Sequence, residues 1–469
     1  MNLRRRLALL AVALLPLPAV AQERDPTRVF SDDHKPADAR LGKPRTLNDY
    51  FPMTVPASKE AWETRRQQLR EQILVANGLW PMPPKTSLKP VIHGKIQRDG
   101  YTVEKVYCAS LPGFYLTGNL YRPSGGKQGQ KFPGVLCPHG HWRNGRFFEA
   151  SDNEVKNQQA SGGEQSAEGA RYPLQARCAQ LARMGCVVFH YDMVGNADSR
   201  QIGHAAGFKD ADAELRLQSA MGLQTWNSIR ALDFLTSLPD VDAKRIGVTG
   251  ASGGGTQTFI LCAIDDRPTA AVPAVMVSTG MQGGCVCENA SYLRQGAGNV
   301  DFAALFAPRP LALIGADDWT IEIEKKGLPE LKALYKLLGA ENKVTGKCFP
   351  QFKHNYNQVS REYMYEWFNT HLKLGHASPI KEAAFTPIPP RELSVWTEQH
   401  PLPRDARDAR GVREYLSQVD EDWRAKLIPN DERSLAEFRR VIGTALRVMI
   451  GGGLPASEAV EVKEAGTAR

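Results

Sequence analysis

The sequence has little that would mark a membrane-spanning, fibrous or nucleic-acid-binding protein. Its 469 residues contain no uninterrupted apolar run of about 18 residues, so we expect no membrane span in the mature protein. Low-complexity segments and short repeats are absent, which excludes fibrous and repeat architectures. The net charge of +8 is mild and the basic residues are scattered, so we expect no nucleic-acid partner. The hydrophobic content of 42% is typical of a globular protein.

The cysteines do not follow a spacing that defines a metal site or a disulfide framework. Cys285 and Cys287 are separated by one residue, which is a poor spacing for a bond between them, and their pairing elsewhere stays open. No second Cys or His pair completes four ligands at a familiar spacing. We therefore expect no zinc or other metal, and no cofactor.

Residues 1–21 have the composition of a secretory signal peptide. Arginines occupy positions 4–6, an apolar run follows over 7–17, and Ala-Val-Ala ends at position 21. We expect cleavage before Gln22 and a protein that is periplasmic or secreted. An uncleaved membrane anchor is the alternative.

Alternating strand and helix signals predict a doubly wound, mostly parallel α/β domain over residues 58–375. A helical pattern over 59–76 is followed by strand signals at 101–106 and 114–121, which suit antiparallel pairing. Short apolar runs that are typical of buried parallel strands come next, with helical patterns between them. These runs are residues 134–137, 186–190, 246–249, 271–277 and 311–315.

Four further segments flank or interrupt this domain. Residues 22–57 are polar and proline-rich, which indicates an extended leader. Residues 143–169 break the α/β pattern and predict an insertion or lid, with a loose surface insertion as the alternative. Prolines in residues 376–404 indicate a linker, and residues 405–469 predict a helical extension with a disordered end. The sequence does not specify an oligomeric state.

The strongest chemical signal is the segment Gly250–Gly254, which reads Gly-Ala-Ser-Gly-Gly. A buried strand pattern over 245–249 comes directly before it, and a helical pattern over 256–264 comes directly after it. Strand, sharp turn and helix are typical of a nucleophile elbow, where small residues let the backbone turn tightly enough to expose the hydroxyl of Ser252. A glycine-rich phosphate-binding or structural turn is the alternative.

A serine nucleophile needs a base, and the base needs an acid to orient it. In hydrolases with this elbow the acid and then the histidine follow along the chain. Asp318 follows one strand pattern and His354 follows the next, so we predict Ser252 as nucleophile, His354 as base and Asp318 as acid. Asp317 and Glu288, which also lie on loops after strands, are alternatives for the acid.

The negative charge of a tetrahedral intermediate needs two hydrogen-bond donors. We predict the backbone N–H groups of Gly253, next to the nucleophile, and of His141, on the loop after residues 134–137. Trp142, Trp319 and Tyr356 each lie near a predicted active-site residue. They are candidates for stacking on a substrate ring, and the alternative is that they pack the walls of the cleft.

These motifs resemble the α/β-hydrolases of the acetyl xylan esterase and dienelactone hydrolase-like group. The resemblance extends over about residues 61–375. It implies an α/β-hydrolase fold and an exported bacterial carbohydrate esterase, with Ser252 as nucleophile and an N–H near His141 as oxyanion donor. The matching stretches are Pro138–Trp142, Tyr191–Ser199, Gly247–Gly255, Asp317–Thr320 and His354–Asn357.

Two departures narrow what the resemblance implies. Dienelactone hydrolases carry a cysteine at the elbow, where this chain has Ser252. Glucuronoyl esterases carry a basic residue directly after the nucleophile, where this chain has Gly253, and often a displaced acid, for which Glu288 stays open.

Together these motifs predict a serine carboxylic-ester hydrolase that works through an acyl-enzyme. We expect it to remove acetyl or similar small acyl groups from plant or algal polysaccharide. A glucuronoyl-type methylesterase and a prolyl-oligopeptidase-like peptidase are alternatives, although the chain before residue 134 is too short for the propeller of the latter. A catalytically silent binding module is a further alternative, which the complete set of Ser, Asp and His disfavours.

Overall fold

The computed structural model describes residues 43–455 and 457–461, and within these residues nine strands form one mixed sheet. The strands are β1 Val91–Arg98, β2 Tyr101–Leu111, β3 Phe114–Pro123, β4 Phe132–Leu136, β5 Val187–Tyr191, β6 Val241–Ala251, β7 Ala270–Ala274, β8 Leu311–Asp317 and β9 Val344–Lys353. Their spatial order is β1-β2-β3-β5-β4-β6-β7-β8-β9. Antiparallel pairing joins β1, β2, β3 and β5, and every pair from β5 onward is parallel.

Helices cover both faces of this sheet. They are α1 Lys59–Ala76, α2 Asp152–Ala160, α3 Ala167–Arg171, α4 Pro173–Arg183, α5 Ala211–Leu215, α6 Ala220–Ser237, α7 Gly253–Ile264, α8 Asn299–Ala304, α9 Leu328–Leu337, α10 Gln358–His371, α11 Pro390–Leu393, α12 Ala409–Lys426 and α13 Glu432–Met449. One apolar core lies between the sheet and α1, α6, α7, α8 and α9, and a second lies between the sheet and α4 and α10. The predicted doubly wound, mostly parallel α/β architecture is confirmed.

The strands in the middle of the sheet are buried on both faces. Every residue of β5 and of β7 is buried, because helices cover both sides of a parallel sheet. The edge strand β1 differs, since exposed residues alternate with half-buried ones along it. The sequence of β1, Val-Ile-His-Gly-Lys-Ile-Gln-Arg, contains no apolar run. For that reason the sequence pattern does not predict this strand.

Some sequence predictions fall on residues outside the described ranges. The signal peptide, the first part of the leader and the last residues of the chain lie there. Residues 45–454 form one unit, and the other described residues belong to a second unit that includes a short 3-10 helix, Ser457–Ala459. Across the part of the chain that the structure describes, no helix combines the length and the hydropathy that crossing a membrane requires.

The expected linker, residues 376–404, packs against the domain. Ile388, Leu393 and Val395 are each at most 1% exposed. The side-chain amide of Asn119 on β3 donates to the carbonyl oxygen of Leu393 at 3.0 Å. The segment is therefore part of the folded body, and its prolines shape an irregular path over the surface.

The C-terminal helices α12 and α13 lie within residues 405–469, for which the sequence predicts a helical extension. Val441 and Val448 of α13 are buried, and α13 contacts α1. The indole N–H of Trp80 donates to the carbonyl oxygen of Val441 at 3.0 Å. One apolar face of the extension is thus docked on the main domain.

The segment 143–169 contains α2 and the start of α3, and a buried ionic network anchors its end. Arg361 on α10 is fully buried and donates two hydrogen bonds to the carboxylate of Glu164, at 2.7 and 2.9 Å. The same guanidinium donates to Glu382 at 2.7 Å. The network therefore ties both this segment and the 376–404 segment to α10.

We expect Arg361→Met to destabilise the protein by about 3–5 kcal/mol, because it leaves Glu164 and Glu382 buried without a counter-charge. Urea unfolding at neutral pH measures the effect. The matched control is Arg410→Met, which breaks an exposed pair with Glu414 and should leave the free energy of unfolding nearly unchanged. Equal losses in the two variants would contradict the anchoring role of Arg361.

Candidate active site

Ser252 lies at the sharp turn between β6 and α7. Its backbone dihedrals are φ 59° and ψ −128°, a positive φ that non-glycine residues seldom adopt. Its N–H donates to the carbonyl oxygen of Ala274 at 3.1 Å, and its carbonyl oxygen accepts the N–H of Thr256 at 3.0 Å. Strain of about 1–3 kcal/mol persists only where surrounding contacts hold it, and these two bonds hold the turn from both sides.

Glycines permit the close packing around this turn. A Cβ atom on Gly250 or on Gly254 would lie 2.5 Å from the carbonyl oxygen of Pro138. A Cβ atom on Gly140 would lie 2.7 Å from the Cβ atom of Ser252. The loop after β4 is therefore in direct contact with the elbow.

His354 and Asp318 are hydrogen bonded to each other. Nδ1 of His354, on the loop after β9, is 2.7 Å from Oδ2 of Asp318, on the loop after β8. The other carboxylate oxygen accepts the N–H of Thr320 at 2.7 Å, so both oxygens are engaged. The neighbouring Asp317 instead pairs with Lys353 at the surface. The carboxylate directs the imidazole proton to Nδ1 and leaves the lone pair on Nε2.

Trp319 packs against the imidazole. The two ring centroids are 4.4 Å apart. The indole N–H donates to the carbonyl oxygen of Val275 at 3.1 Å, and the hydroxyl of Ser278 donates to the carbonyl oxygen of Trp319 at 2.6 Å. The indole is therefore fixed to the loop after β7 and supports the plane of His354.

Glu288, the displaced alternative for the acid, makes different contacts. It is 3% exposed, and its Oε2 accepts the N–H groups of Gly284 at 2.8 Å and of Cys285 at 3.2 Å. Its Oε1 is 3.7 Å from Nδ1 of His141. Glu288 thus organises its own loop and faces His141, and the carboxylate at His354 is that of Asp318.

A buried histidine holds the loop after β4. Nδ1 of His139 donates to the carbonyl oxygen of Gly140 at 2.9 Å, and Nε2 accepts the N–H of Met193 at 3.1 Å. Burial lowers the pKa of His139 to about 3, so the ring is neutral, as this pair of contacts requires. The ring therefore ties the predicted oxyanion loop to the loop after β5.

Four possible metal ligands that lie far apart in the sequence come close together in the structure. The side chains of His141, His204, Cys285 and Cys287 converge, and one ligand atom of each lies within 4.8 Å of all the others. Their spacing along the chain does not predict a metal site. Three loops, after β4, β5 and β7, bring the four residues together, and His204 carried no local signal that could have identified it.

The predicted aromatic residues differ in their surroundings. Trp142 lines a cavity of about 160 Å³ beside His354, together with residues from the 143–169 segment. Tyr356 also lines this cavity but is 3% exposed, and its hydroxyl is 2.7 Å from that of Thr249. Trp142 is therefore the better placed of the two to contact a ligand, and Tyr356 forms part of the wall.

Comparison with known proteins finds one family match and similarity to two relatives over parts of the chain. Residues 224–279, which include the elbow, match the family model described as acetyl xylan esterase (AXE1). Acetyl esterase Axe7A of Xylanibacter ruminicola is 48% identical over 44 residues, which are 9% of this chain and 10% of that protein. YtaP of Bacillus subtilis (strain 168) is 29% identical over 136 residues, 29% of this chain and 40% of that protein. The chain thus spans less than half the length of these two relatives.

A solved structure is similar over most of the chain. Methylesterase BT1017 superposes with a TM-score of 0.62 and 28% sequence identity, covering 82% of this chain and 78% of that chain. With the strand order and the elbow, this likeness shows that the protein has the α/β-hydrolase fold. Within that fold, the resemblance to the acetyl xylan esterase group is confirmed by the match that contains the elbow.

We expect His139→Gln to lose less stability on acidification than the wild type. The native ring has a pKa of about 3, whereas in the unfolded chain it protonates near about 6.5. The unfolded state therefore binds more protons between these values. This contribution to stability is complete above pH 6.5 and is lost as the pH falls toward 3. Urea unfolding at pH 7 and at pH 4.5 measures how much free energy of unfolding each protein loses on acidification. This loss should be smaller by about 2–3 kcal/mol in His139→Gln than in the wild type.

The control for this comparison is His376→Gln, which replaces an exposed histidine far along the chain. A similarly reduced loss in this control would show that the effect of His139→Gln does not come from its buried ring. The same acid dependence in His139→Gln and in the wild type would contradict a neutral, buried His139.

Proposed function

We propose that the protein is a serine carboxylic-ester hydrolase in which Ser252, His354 and Asp318 act as nucleophile, base and acid. The observation that carries the proposal is the 2.7 Å hydrogen bond between His354 and Asp318. Both residues follow the carboxyl ends of parallel strands, at the edge of the sheet where the strained turn of Ser252 also lies. Nucleophile, base and orienting acid in this chain order are typical of α/β-hydrolases.

The proposed reaction has two halves. His354 accepts the proton of the Ser252 hydroxyl while the oxygen attacks the ester carbonyl, and the imidazolium then gives the proton to the departing alcohol. Water, activated by the same imidazole, hydrolyses the acyl-enzyme and restores the serine. Asp318 stabilises the imidazolium and holds its tautomer without taking the proton.

The backbone N–H groups of Gly253 and His141 are the proposed oxyanion donors. Support comes from the contact between Gly140 and Ser252, which brings the loop after β4 against the nucleophile. The neutral ring of His139 fixes this loop before substrate binds, and preorganised donors of this kind each contribute about 100- to 1,000-fold in rate.

Acetylated plant or algal polysaccharide is the substrate class that we propose. The match of the elbow region to acetyl xylan esterase supports it. A cavity of about 160 Å³ that His354 and Trp142 line gives a ligand access to the proposed base. The signal-peptide composition of residues 1–21 supports export from the cytoplasm. Such polysaccharides are encountered outside the cell.

A second candidate is the hydrolysis of a sugar methyl ester. The observation in its favour is that the likeness to methylesterase BT1017 covers 82% of the chain, whereas the acetyl xylan esterase match covers residues 224–279. The same three side chains would serve both reactions. In deacetylation the sugar leaves and acetate is released last, whereas in demethylation methanol leaves first and the sugar forms the acyl-enzyme.

Product analysis separates the two candidates. With acetylated xylan, methyl-esterified pectin and a methyl glucuronoyl ester as substrates, we expect acetate release to be the faster reaction. Predominant methanol release would select the methylesterase instead. Cleavage of peptides alone would select the peptidase, and a folded wild type that cleaves none of these substrates would select the silent binding module.

Two substitutions test the proposed roles. Ser252→Ala should lower kcat by about 10⁶-fold and Asp318→Asn by about 10⁴-fold, because the asparagine leaves the imidazole in the wrong tautomer. Asp317→Asn is the matched control, since this neighbouring carboxylate pairs with Lys353 at the surface, and it should stay within a few-fold of wild type. A large loss with Asp317→Asn and none with Asp318→Asn would reverse the assignment.

A further inference from the structure

Beside the elbow lies a group of soft ligands that the proposed ester hydrolysis does not use as side chains. Nε2 of His141 is 3.1 Å from Sγ of Cys287, and Nε2 of His204 is 3.4 Å from Sγ of Cys285. We infer that these four side chains form a tetrahedral binding site for one Zn²⁺ ion.

The distances suit the coordination geometry of zinc. Zinc–sulfur bonds of about 2.3 Å and zinc–nitrogen bonds of about 2.0 Å put sulfur and nitrogen about 3.5 Å apart in a tetrahedron. The two measured contacts are close to this value, and all four ligand atoms lie within 4.8 Å of one another. Two thiolates and two imidazoles in tetrahedral geometry favour Zn²⁺ over the hard cations Mg²⁺ and Ca²⁺.

In both histidines Nδ1, the ring nitrogen that does not face a sulfur atom, already points at an oxygen atom. Nδ1 of His204 is 3.0 Å from the carbonyl oxygen of Val194 and donates to it, which leaves Nε2 as an acceptor. Nδ1 of His141 faces the carboxylate of Glu288 at 3.7 Å. Histidines that bind a metal usually direct the second nitrogen at a carbonyl or carboxylate in this way, which fixes the ring and raises its basicity.

Glu288 also shapes the loop that carries the sulfur ligands. Its second oxygen accepts the N–H groups of Gly284 and Cys285. A single buried carboxylate therefore holds the cysteine loop and faces one imidazole ligand. This arrangement makes Glu288 a positioning residue for the metal.

The proposed site is accessible to an ion and is closed once filled. His141 is exposed, His204 and Cys285 are half-buried, and Cys287 is buried, so an ion can enter from solvent. Four protein ligands complete a tetrahedron and leave no position for a reactive water, as in structural zinc sites.

The site borders the proposed oxyanion loop. A Cβ atom on Gly253 would lie 3.2 Å from Cε1 of His141, so the ring of this ligand packs against the first residue of α7. Zinc would therefore join the loops after β4, β5 and β7 and limit the movement of the His141 backbone. An effect of zinc on the rate of ester hydrolysis rests on the proposed function. The binding of zinc does not depend on it.

The test is metal stoichiometry of the full-length protein, measured by elemental analysis after dialysis against buffer free of zinc. We expect about one zinc per chain in the wild type and less than about a tenth of that in Cys285→Ala and in His204→Asn. Cobalt should replace zinc and give the visible bands of tetrahedral Co²⁺ together with thiolate-to-cobalt charge-transfer absorption. Circular dichroism establishes that each variant is folded.

Two controls separate this inference from its alternatives. Cys108→Ala removes a buried thiol on β2 and should keep full zinc binding. Ser252→Ala should be inactive but bind zinc like the wild type, so failure of the esterase proposal and failure of the zinc proposal give different results.

A positioning role for Glu288 predicts a graded effect. In competition with a chromophoric chelator, Glu288→Gln should bind zinc about 10- to 100-fold more weakly than the wild type, because the amide still accepts hydrogen bonds but no longer carries charge. Unchanged zinc binding in a Cys285→Ala/Cys287→Ala double variant would overturn the inference. So would a wild type without zinc in which mass spectrometry finds these two cysteines joined as a disulfide.

Discussion

Six strands in succession, β4 to β9, pair in parallel, and their carboxyl ends therefore lie along one edge of the sheet. The loops that follow parallel strands meet at this edge, which is where open α/β sheets bind ligands. Ser252 follows β6, Asp318 follows β8 and His354 follows β9. The soft ligands follow β4, β5 and β7. Strand direction is thus the constraint that brings both groups of side chains together.

Close backbone approach is the second requirement of the site. The loop after β4 touches the elbow at Gly140, where any side chain would meet Ser252. Gly140 has no side chain that could hold the loop there, and the buried ring of the adjacent His139 performs this task by bonding to both sides. Burial keeps that ring neutral, and a charged ring would lose the acceptor that binds Met193. The positive φ of Ser252 persists because this surrounding framework holds it.

One residue links the two proposed sites. The backbone of His141 belongs to the proposed oxyanion loop, and its ring belongs to the proposed zinc site. Glu288 connects them further, since it faces that ring and holds the cysteine loop. Its position explains why a carboxylate on this loop looks like a catalytic acid in the sequence. In the structure Nδ1 of His354 donates its hydrogen bond to Asp318, which leaves Glu288 for another task.

Patterns within short stretches of the sequence predicted much of the fold and the position of the elbow. The helix over 59–76 has the predicted bounds, the central strands follow their apolar runs, and the elbow follows from strand, glycines and helix in direct succession. Only the tertiary structure decided that β1 forms the edge, that residues 376–404 pack on the domain, and that His204 meets the cysteines. The reason is physical. Periodicity and turn chemistry act between near neighbours, whereas contacts between loops depend on the order in which strands pair, and packing of the whole chain sets that order.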